Sequence, residues 1–447
     1  MMKFLVTIIA LLASTFCFGQ KVKVACIGNS ITYGAGIVNR EKNSYPAQLQ
    51  VYLGDTYEVR NFGSNGATAL HKGDYPYIQT EAYKQAIAYC PDIVFIKLGT
   101  NDSKPQNICF QQDFKSNYVE LVRDFSKLSS KPRIILLSPL RCFLPETASI
   151  KDSVIRSALV PVIEEIARRE KLEYIDLYDL MGNEHQESLM PDRLHPSSIG
   201  AGRIAQKLYE YLKPEQYDPN PCTHPICGNE YRSGAGWKEG ADWHAVSEEI
   251  TQIVSSKKLD ILFLGNSITQ GFGGNRQLVT YKPGKAAADS CFKNMQWESA
   301  GISGDRTETL LWRVQNGVYG KAKPRFVVVT IGVNNVIAGH KASDIAAGIR
   351  KVALAAREQF PQSKILLLGL LPVGLEKDSD RRQQYDQIHK ILKQQNWGDI
   401  QYVDPTSWFT DADERLKEEL YGGDHLHLTT KGYEVWCRHI KEVLFNI

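Results

Sequence analysis

Short apolar runs that stop at glycine or polar loops recur along the chain. Val22–Ile27, Ile93–Ile96 and Ile134–Leu137 are unalternating, the pattern of strands buried on both faces of a parallel sheet. Tyr57–Phe62 and Glu173–Leu177 supply two further strands. Between them Phe114, Tyr118, Leu121, Val122 and Phe125 fall at helical spacing and form one apolar stripe. Ile199–Leu212 reads as a closing helix.

The same plan then repeats. Leu259–Leu264, Asn294–Glu298, Phe326–Ile331, Ile365–Leu370 and Gln401–Val403 read as strands, and Ile345, Ile349 and Val352 mark a helix after the third. Alternating strand and helix predicts an α/β fold, here two three-layer α/β/α domains with five-stranded parallel sheets and right-handed crossovers. The stretch Pro214–Asp242 is rich in Pro, Gly and Cys and lacks periodicity, so it reads as a linker, with Trp237 and Trp243 available to pack it down. A helix from about His244 to Ser256 leads into the second unit. The expected organisation is therefore a leader over 1–19, a first domain over 20–213, a linker over 214–242 and a second domain over 243–447.

Length agrees, because 447 residues suit two cores of roughly 200 residues each. A formal net charge of +3 without a Lys/Arg-rich run argues against nucleic acid or an anionic membrane surface as partner. Lys3, the apolar run Phe4–Leu12 and the small residues Ala13-Ser14-Thr15 resemble a secretory signal peptide cut before Gln20. The expectation is an exported protein, periplasmic or secreted, without stable membrane insertion, since no later run reaches the length of a spanning helix. Nine cysteines include Cys17 in that leader. Export permits disulfides, and Cys222 with Cys227, or Cys109 with Cys142, are candidate pairs. Zinc at Cys222, His224 and Cys227 lacks an evident fourth ligand, so no metal is expected.

Each strand pattern that opens a repeat ends in the same five residues, Gly28-Asn29-Ser30-Ile31-Thr32 and Gly265-Asn266-Ser267-Ile268-Thr269. Downstream follow Gly66 and Gly304, then Gly99-Thr100-Asn101 and Gly332-Val333-Asn334, then Asp192-Arg193-Leu194-His195 and Asp424-His425-Leu426-His427. Subtracting first-copy from second-copy positions gives 237 for the serines, 238 for the glycines, 233 for the asparagines and 232 for both Asp and His. One offset so nearly kept points to a tandem duplication of a whole domain.

These residue types make sense together. A serine hydroxyl is a weak nucleophile until a neighbouring base takes its proton. Histidine can do so near neutrality, and an aspartate orients the ring and stabilises the imidazolium. Asp192 and Asp424 stand three residues before His195 and His427, so one loop can carry each pair. The negative oxygen of a tetrahedral intermediate needs preorganised donors. The serine N–H, a backbone N–H at Gly66 or Gly304, and the side-chain amide of Asn101 or Asn334 are candidates. Gly63 rivals Gly66 for that place. His71, Arg141, Arg276 and Arg306 lie in loops expected to face the site; His71, Arg141 and Arg306 are carried as candidate substrate contacts.

This arrangement resembles the SGNH/GDSL hydrolase superfamily, and the likeness covers nearly the whole chain as two copies. The resemblance implies a flavodoxin-like sheet, ester hydrolysis and no metal or other cofactor. It implies Ser30 and Ser267 as nucleophiles, Gly66 with Asn101 and Gly304 with Asn334 as oxyanion donors, and Asp192/His195 and Asp424/His427 as triad partners. Two departures stand out. Asn29 and Asn266 replace the Asp of the family name, and Asn335 replaces the acid that the first copy keeps as Asp102. The run Gly304–Arg313 resembles the catalytic subunits of platelet-activating-factor acetylhydrolases. Exported two-copy members are similar to bacterial sialate O-acetylesterases. The expected substrate is therefore an acetylated carbohydrate, sialate first and plant polysaccharide such as xylan second. A lipase or lysophospholipase is the competing enzyme, and a glycan-binding protein with one degenerate copy the competing non-enzyme.

Overall fold

A computed structural model describes residues 21–228 and 234–446; the leader read over 1–19 lies outside the described residues. The first sheet contains β1 (Val22–Gly28), β2 (Tyr57–Gly63), β3 (Ile93–Lys97), β4 (Arg133–Leu137) and β5 (Glu173–Ile175). The second contains β6 (Ile261–Gly265), β7 (Trp297–Gly301), β8 (Phe326–Thr330), β9 (Lys364–Leu368) and β10 (Gln401–Val403). Their orders are β2-β1-β3-β4-β5 and β7-β6-β8-β9-β10, with every pairing parallel. Both are the flavodoxin-like order 2-1-3-4-5, whose switch point lies beside the first strand.

Alternation along each strand feeds two apolar layers. In the first domain Ala25, Ile27, Val94 and Ile96 face one core with Tyr118, Leu121 and Ile163 of the covering helices. Val24, Cys26, Ile93 and Phe95 face the other, against Leu49 of the helix Tyr45–Leu53 and Ile204 of the helix Ser198–Leu212. The predicted strand Asn294–Glu298 begins later, at Trp297. Asp260 explains the shift: its carboxylate and backbone N–H hold the Gln296 backbone at 2.8 and 2.6 Å, tying up the preceding turn.

The interdomain stretch is folded into both halves rather than hung between them. Thr307 Oγ1 donates to the Cys222 carbonyl at 2.8 Å, and Asn220 Nδ2 donates to the Asp344 carbonyl at 3.0 Å, both in the second domain. Towards the first domain, Tyr52 OH donates to the Pro225 carbonyl at 3.0 Å and Ser198 Oγ to that of Gly228 at 3.1 Å. The candidate pair Cys222–Cys227 is not bridged. Cys222 Sγ meets His340 Nδ1 at 3.1 Å, while Gln48 Nε2 of the first domain reaches Cys227 Sγ at 3.8 Å. Cys109, exposed, and Cys142, buried, are likewise both thiols. Among the described residues no helix is long and apolar enough to cross a membrane.

Candidate active sites

Both serines begin a single helical turn immediately after the first strand of their domain, β1 or β6, which lies beside the switch point of its sheet: Ser30–Tyr33 and Ser267–Gln270. The preceding asparagines cap those turns: Asn29 and Asn266 Oδ1 each accept the N–H two residues on at 3.1 Å. Capping needs an acceptor and not a charge, so the Asp-to-Asn departure keeps the turn. Gly28 and Gly265 are required by clearance. A Cβ at either would stand 2.1 Å from the Oγ1 of Thr32 or Thr269, inside any tolerable contact.

The histidines arrive from loops before the closing helices. His195 Nε2 lies 2.9 Å from Ser30 Oγ, and its Nδ1 lies 2.6 Å from Asp192 Oδ2. The second copy gives 2.9 Å for His427 Nε2 to Ser267 Oγ and 2.6 Å for Nδ1 to Asp424 Oδ2. In each loop the residue after the aspartate is left-handed, Arg193 at φ 68° and His425 at φ 48°. That conformation is uncommon outside glycine and folds the carboxylate back toward the ring. A neighbouring loop steadies it: Phe143 N–H donates to the Arg193 carbonyl at 2.9 Å, and Gly374 N–H to that of His425 at 3.2 Å.

Partial burial pushes the Asp192 carboxyl up, but donation from the His195 backbone and ring and from Leu194 N–H outweighs it. The acid is held below the usual carboxylate range. Asp424 is lowered in the same way by His427 and Leu426. Both stay ionised where a histidine needs an anionic partner.

The glycine and asparagine sites also coincide. Gly66 and Gly304 are left-handed, at φ 78° and 85°. A Cβ at Gly66 would meet nothing within 4 Å, whereas one at the rival Gly63 would stand 2.1 Å from Tyr33 N. Gly63 thus serves the packing of β2 against the serine turn, and Gly66 faces open space. Asn101 Nδ2 donates to the Ala67 carbonyl at 3.1 Å, and Asn334 Nδ2 to the Asp305 carbonyl at 2.8 Å. In each copy the amide is tied to the residue after the glycine.

The second departure has a local cause. Asp102 accepts the N–H groups of Ala69 and Leu70 at 3.2 and 2.9 Å, fixing the loop that starts at Gly66. Asn335 Oδ1 does the same for Thr307 N–H at 2.9 Å, while its Nδ2 donates to Glu308 Oε2 at 2.8 Å. Glu308 stands where the first copy has Leu70. A carboxylate at 335 would face another carboxylate, so an amide fits.

Each of the basic candidates has a carboxylate partner. His71 Nδ1 lies 3.4 Å from Glu120. Arg141 Nε donates to Asp179 Oδ1 at 2.9 Å with its guanidinium 4.7 Å from the Tyr178 ring centroid. Arg306 Nε pairs with Glu308 Oε1 at 3.0 Å and borders, with Gly304, a small pocket beside Trp243. Arg276 is fully buried, paired with Glu249 at 2.8 Å and bonded to the carbonyls of Ser299 and Gly301. It is a scaffold residue of β7.

Three features escaped the sequence reading. Asp305 and Arg313 form a fully buried pair at 2.6 Å, and Arg313 Nη2 also donates to the Gly265 carbonyl at 3.1 Å, beside the serine turn. Lys97, wholly buried at the end of β3, is pushed down to about 7 by loss of solvent. The second site also opens into a cleft of about 550 Å³ bordered by Ser267, Asn334 and His427, with Ala235 and Gly236 of the presumed linker in its wall.

The GDSL-like lipase/acylhydrolase family model matches residues 26–203 and 263–435. The chain belongs to this family, twice over. Among GDSL-like relatives, an acetylxylan esterase of Xylanibacter ruminicola is 40% identical over 209 residues, 43% of each chain. The match thus spans less than half of that relative's length. The platelet-activating factor acetylhydrolase IB subunit alpha2 of Homo sapiens is 28% identical over 236 residues, 52% of this chain and 93% of that one. A solved carbohydrate acetylesterase of Sinorhizobium meliloti aligns with 44% of this chain and all of its own length, at 18% identity and a TM-score of 0.37.

Proposed function

We propose that the protein is an exported carbohydrate O-acetylesterase with two serine sites, acting first on acetylated plant polysaccharide. The observation that carries this reading is the doubled Ser–His–Asp relay at hydrogen-bond distance, in a chain that resembles an acetylxylan esterase over one domain's length. His195 or His427 takes the serine proton as Oγ attacks the ester carbonyl carbon. The tetrahedral oxygen is met by the serine N–H, the glycine N–H and the asparagine amide, each worth about 3–4 kcal/mol. The imidazolium then protonates the departing sugar oxygen, leaving an acetyl-serine. Water gives a proton to the same imidazole as it attacks the acetyl-serine; on collapse the imidazolium returns that proton to the serine Oγ, and acetate leaves.

Apart from the Asp424/His427 pair, the described residues lining the second cleft are uncharged. That lining suits a neutral sugar ester better than sialic acid, whose carboxylate would sit among neutral groups, and the family resemblance alone favoured sialate. The test is acetate release from acetylated xylan, an acetylated sialic acid and p-nitrophenyl esters of rising chain length. Wild type, Ser30→Ala, Ser267→Ala and the double variant are compared. The double variant should lose at least about a thousandfold, and acetylated xylan should be the best polymer. Equal turnover of octanoyl and acetyl esters would instead indicate a lipase.

A further inference from the structure

The second cleft is not built from the repeat alone. Gln270, three residues after Ser267 and almost fully buried, bonds in three directions. Its Nε2 donates to the Ala235 carbonyl at 2.8 Å, and its Oε1 accepts from Trp237 Nε1 at 2.8 Å and from Ser303 N–H at 2.9 Å. One side chain thus ties the serine turn, the loop carrying Gly304 and the interdomain strap together. The strap continues as an antiparallel ladder: Thr280 N–H donates to the Gly236 carbonyl at 2.8 Å, and Lys238 N–H to that of Leu278 at 2.8 Å. Gly236 allows this closeness, because a Cβ there would stand 3.0 Å from Tyr281 Cβ. The first copy has Tyr33 at the place of Gln270, and its Tyr33 ring lies 3.8 Å from the Arg40 guanidinium instead.

The ladder's consequence is Tyr281. It is 60% exposed, yet its backbone is fixed by the strap and its side chain lines the cleft that holds Ser267. Ile337, 51% exposed, borders the same cleft. Together they give the cleft beside Ser267 an exposed apolar lining, and ligand clefts are lined mainly by apolar and aromatic side chains. Pyranose rings have one face of C–H groups and an edge of hydroxyls. An anchored tyrosine offers a flat apolar face with a polar tip, at little ordering cost.

We propose that Tyr281 is the specificity-determining platform of the second site, stacking a neutral sugar ring of the substrate while the acetyl ester enters the triad. The proposal rests on the carbohydrate-ester reading and assigns the sugar contact to one residue of one site. It makes the two sites unequal: the second gains affinity from a saccharide beside the acetyl group, and among the described residues the first has no counterpart of the strap.

The test uses the full-length chain. In a Ser30→Ala background, Tyr281→Ala should raise KM for acetylated xylo-oligosaccharides roughly ten-fold. It should leave kcat and p-nitrophenyl acetate turnover within about two-fold, and Tyr281→Trp should restore KM. Binding is read separately by calorimetry in the Ser30→Ala/Ser267→Ala chain, with acetylated xylotetraose. Tyr281→Ala should weaken it by a similar factor. Unchanged binding and unchanged KM overturn the platform. Should no acetylated sugar be hydrolysed while the tetrasaccharide still binds through Tyr281, the carbohydrate-ester reading fails and the platform stands. Absence of binding to the parent chain overturns the platform outright.

Discussion

The finest contrast between the two copies is a single atom, the nitrogen of Asn335 that replaces a carboxylate oxygen of Asp102. Both residues hold the loop carrying the presumed oxyanion glycine, but only Asn335 faces an acid, Glu308. Asn335→Asp should therefore lower second-site kcat and destabilise that domain by about 1–3 kcal/mol, the cost of an unpaired buried polar contact. Adding Glu308→Leu, which recreates the first copy's Leu70, should recover most of the loss in a denaturant titration. Buried Lys97 gives a prediction in pH. Its folded-state value, about 7, lies below the ordinary 10.5, so the unfolded chain binds more protons between those limits. The contribution of Lys97 to first-domain stability should therefore improve as pH rises from about 7 toward 10.5 and worsen as pH falls back toward 7. Lys97→Met should flatten that dependence and stabilise by on the order of a few kcal/mol at pH 7, read from calorimetric unfolding at pH 7 and 9.5.

At the scale of elements, strands and serine turns were legible because their signal is local. A continuous apolar run ending in Gly-Asn-Ser fixes strand, cap and serine together. The meeting of Ser, His and Asp was foreshadowed by the doubled Asp-x-x-His spacing, though the left-handed Arg193 and His425 that make the spacing work carry no local signature. The start of β7 was misjudged because Asp260, far upstream, decides it. Arg276 reads as a loop cation in sequence, and only the fold shows it bonded to the carbonyls of Ser299 and Gly301. The Asp305–Arg313 pair escaped for the same reason: its partners are ordinary charges until burial makes them costly. Arg313→Met should destabilise the second domain by about 3–5 kcal/mol by stranding the Asp305 carboxylate. Thermal unfolding should show this in the second-domain transition while Ser30-dependent turnover persists.

For the whole molecule, two complete relays on separate sheets predict separable activities. Ser30→Ala and Ser267→Ala should each leave a residual rate, and the two residual rates should sum to that of wild type on p-nitrophenyl acetate. A single inactive variant that abolished all turnover would mean that one relay does the chemistry. The interdomain stretch was legible as a break in periodicity, but not as part of a site, because its partners Gln270 and Thr280 lie far along the chain. Its position also matters to anyone redesigning the enzyme. Ala235 and Gly236 lie outside the two family-matched regions and Tyr281 is the residue they anchor, so a mutational library confined to these three could retune the proposed sugar preference of one pocket and leave its twin as an internal reference within the same polypeptide.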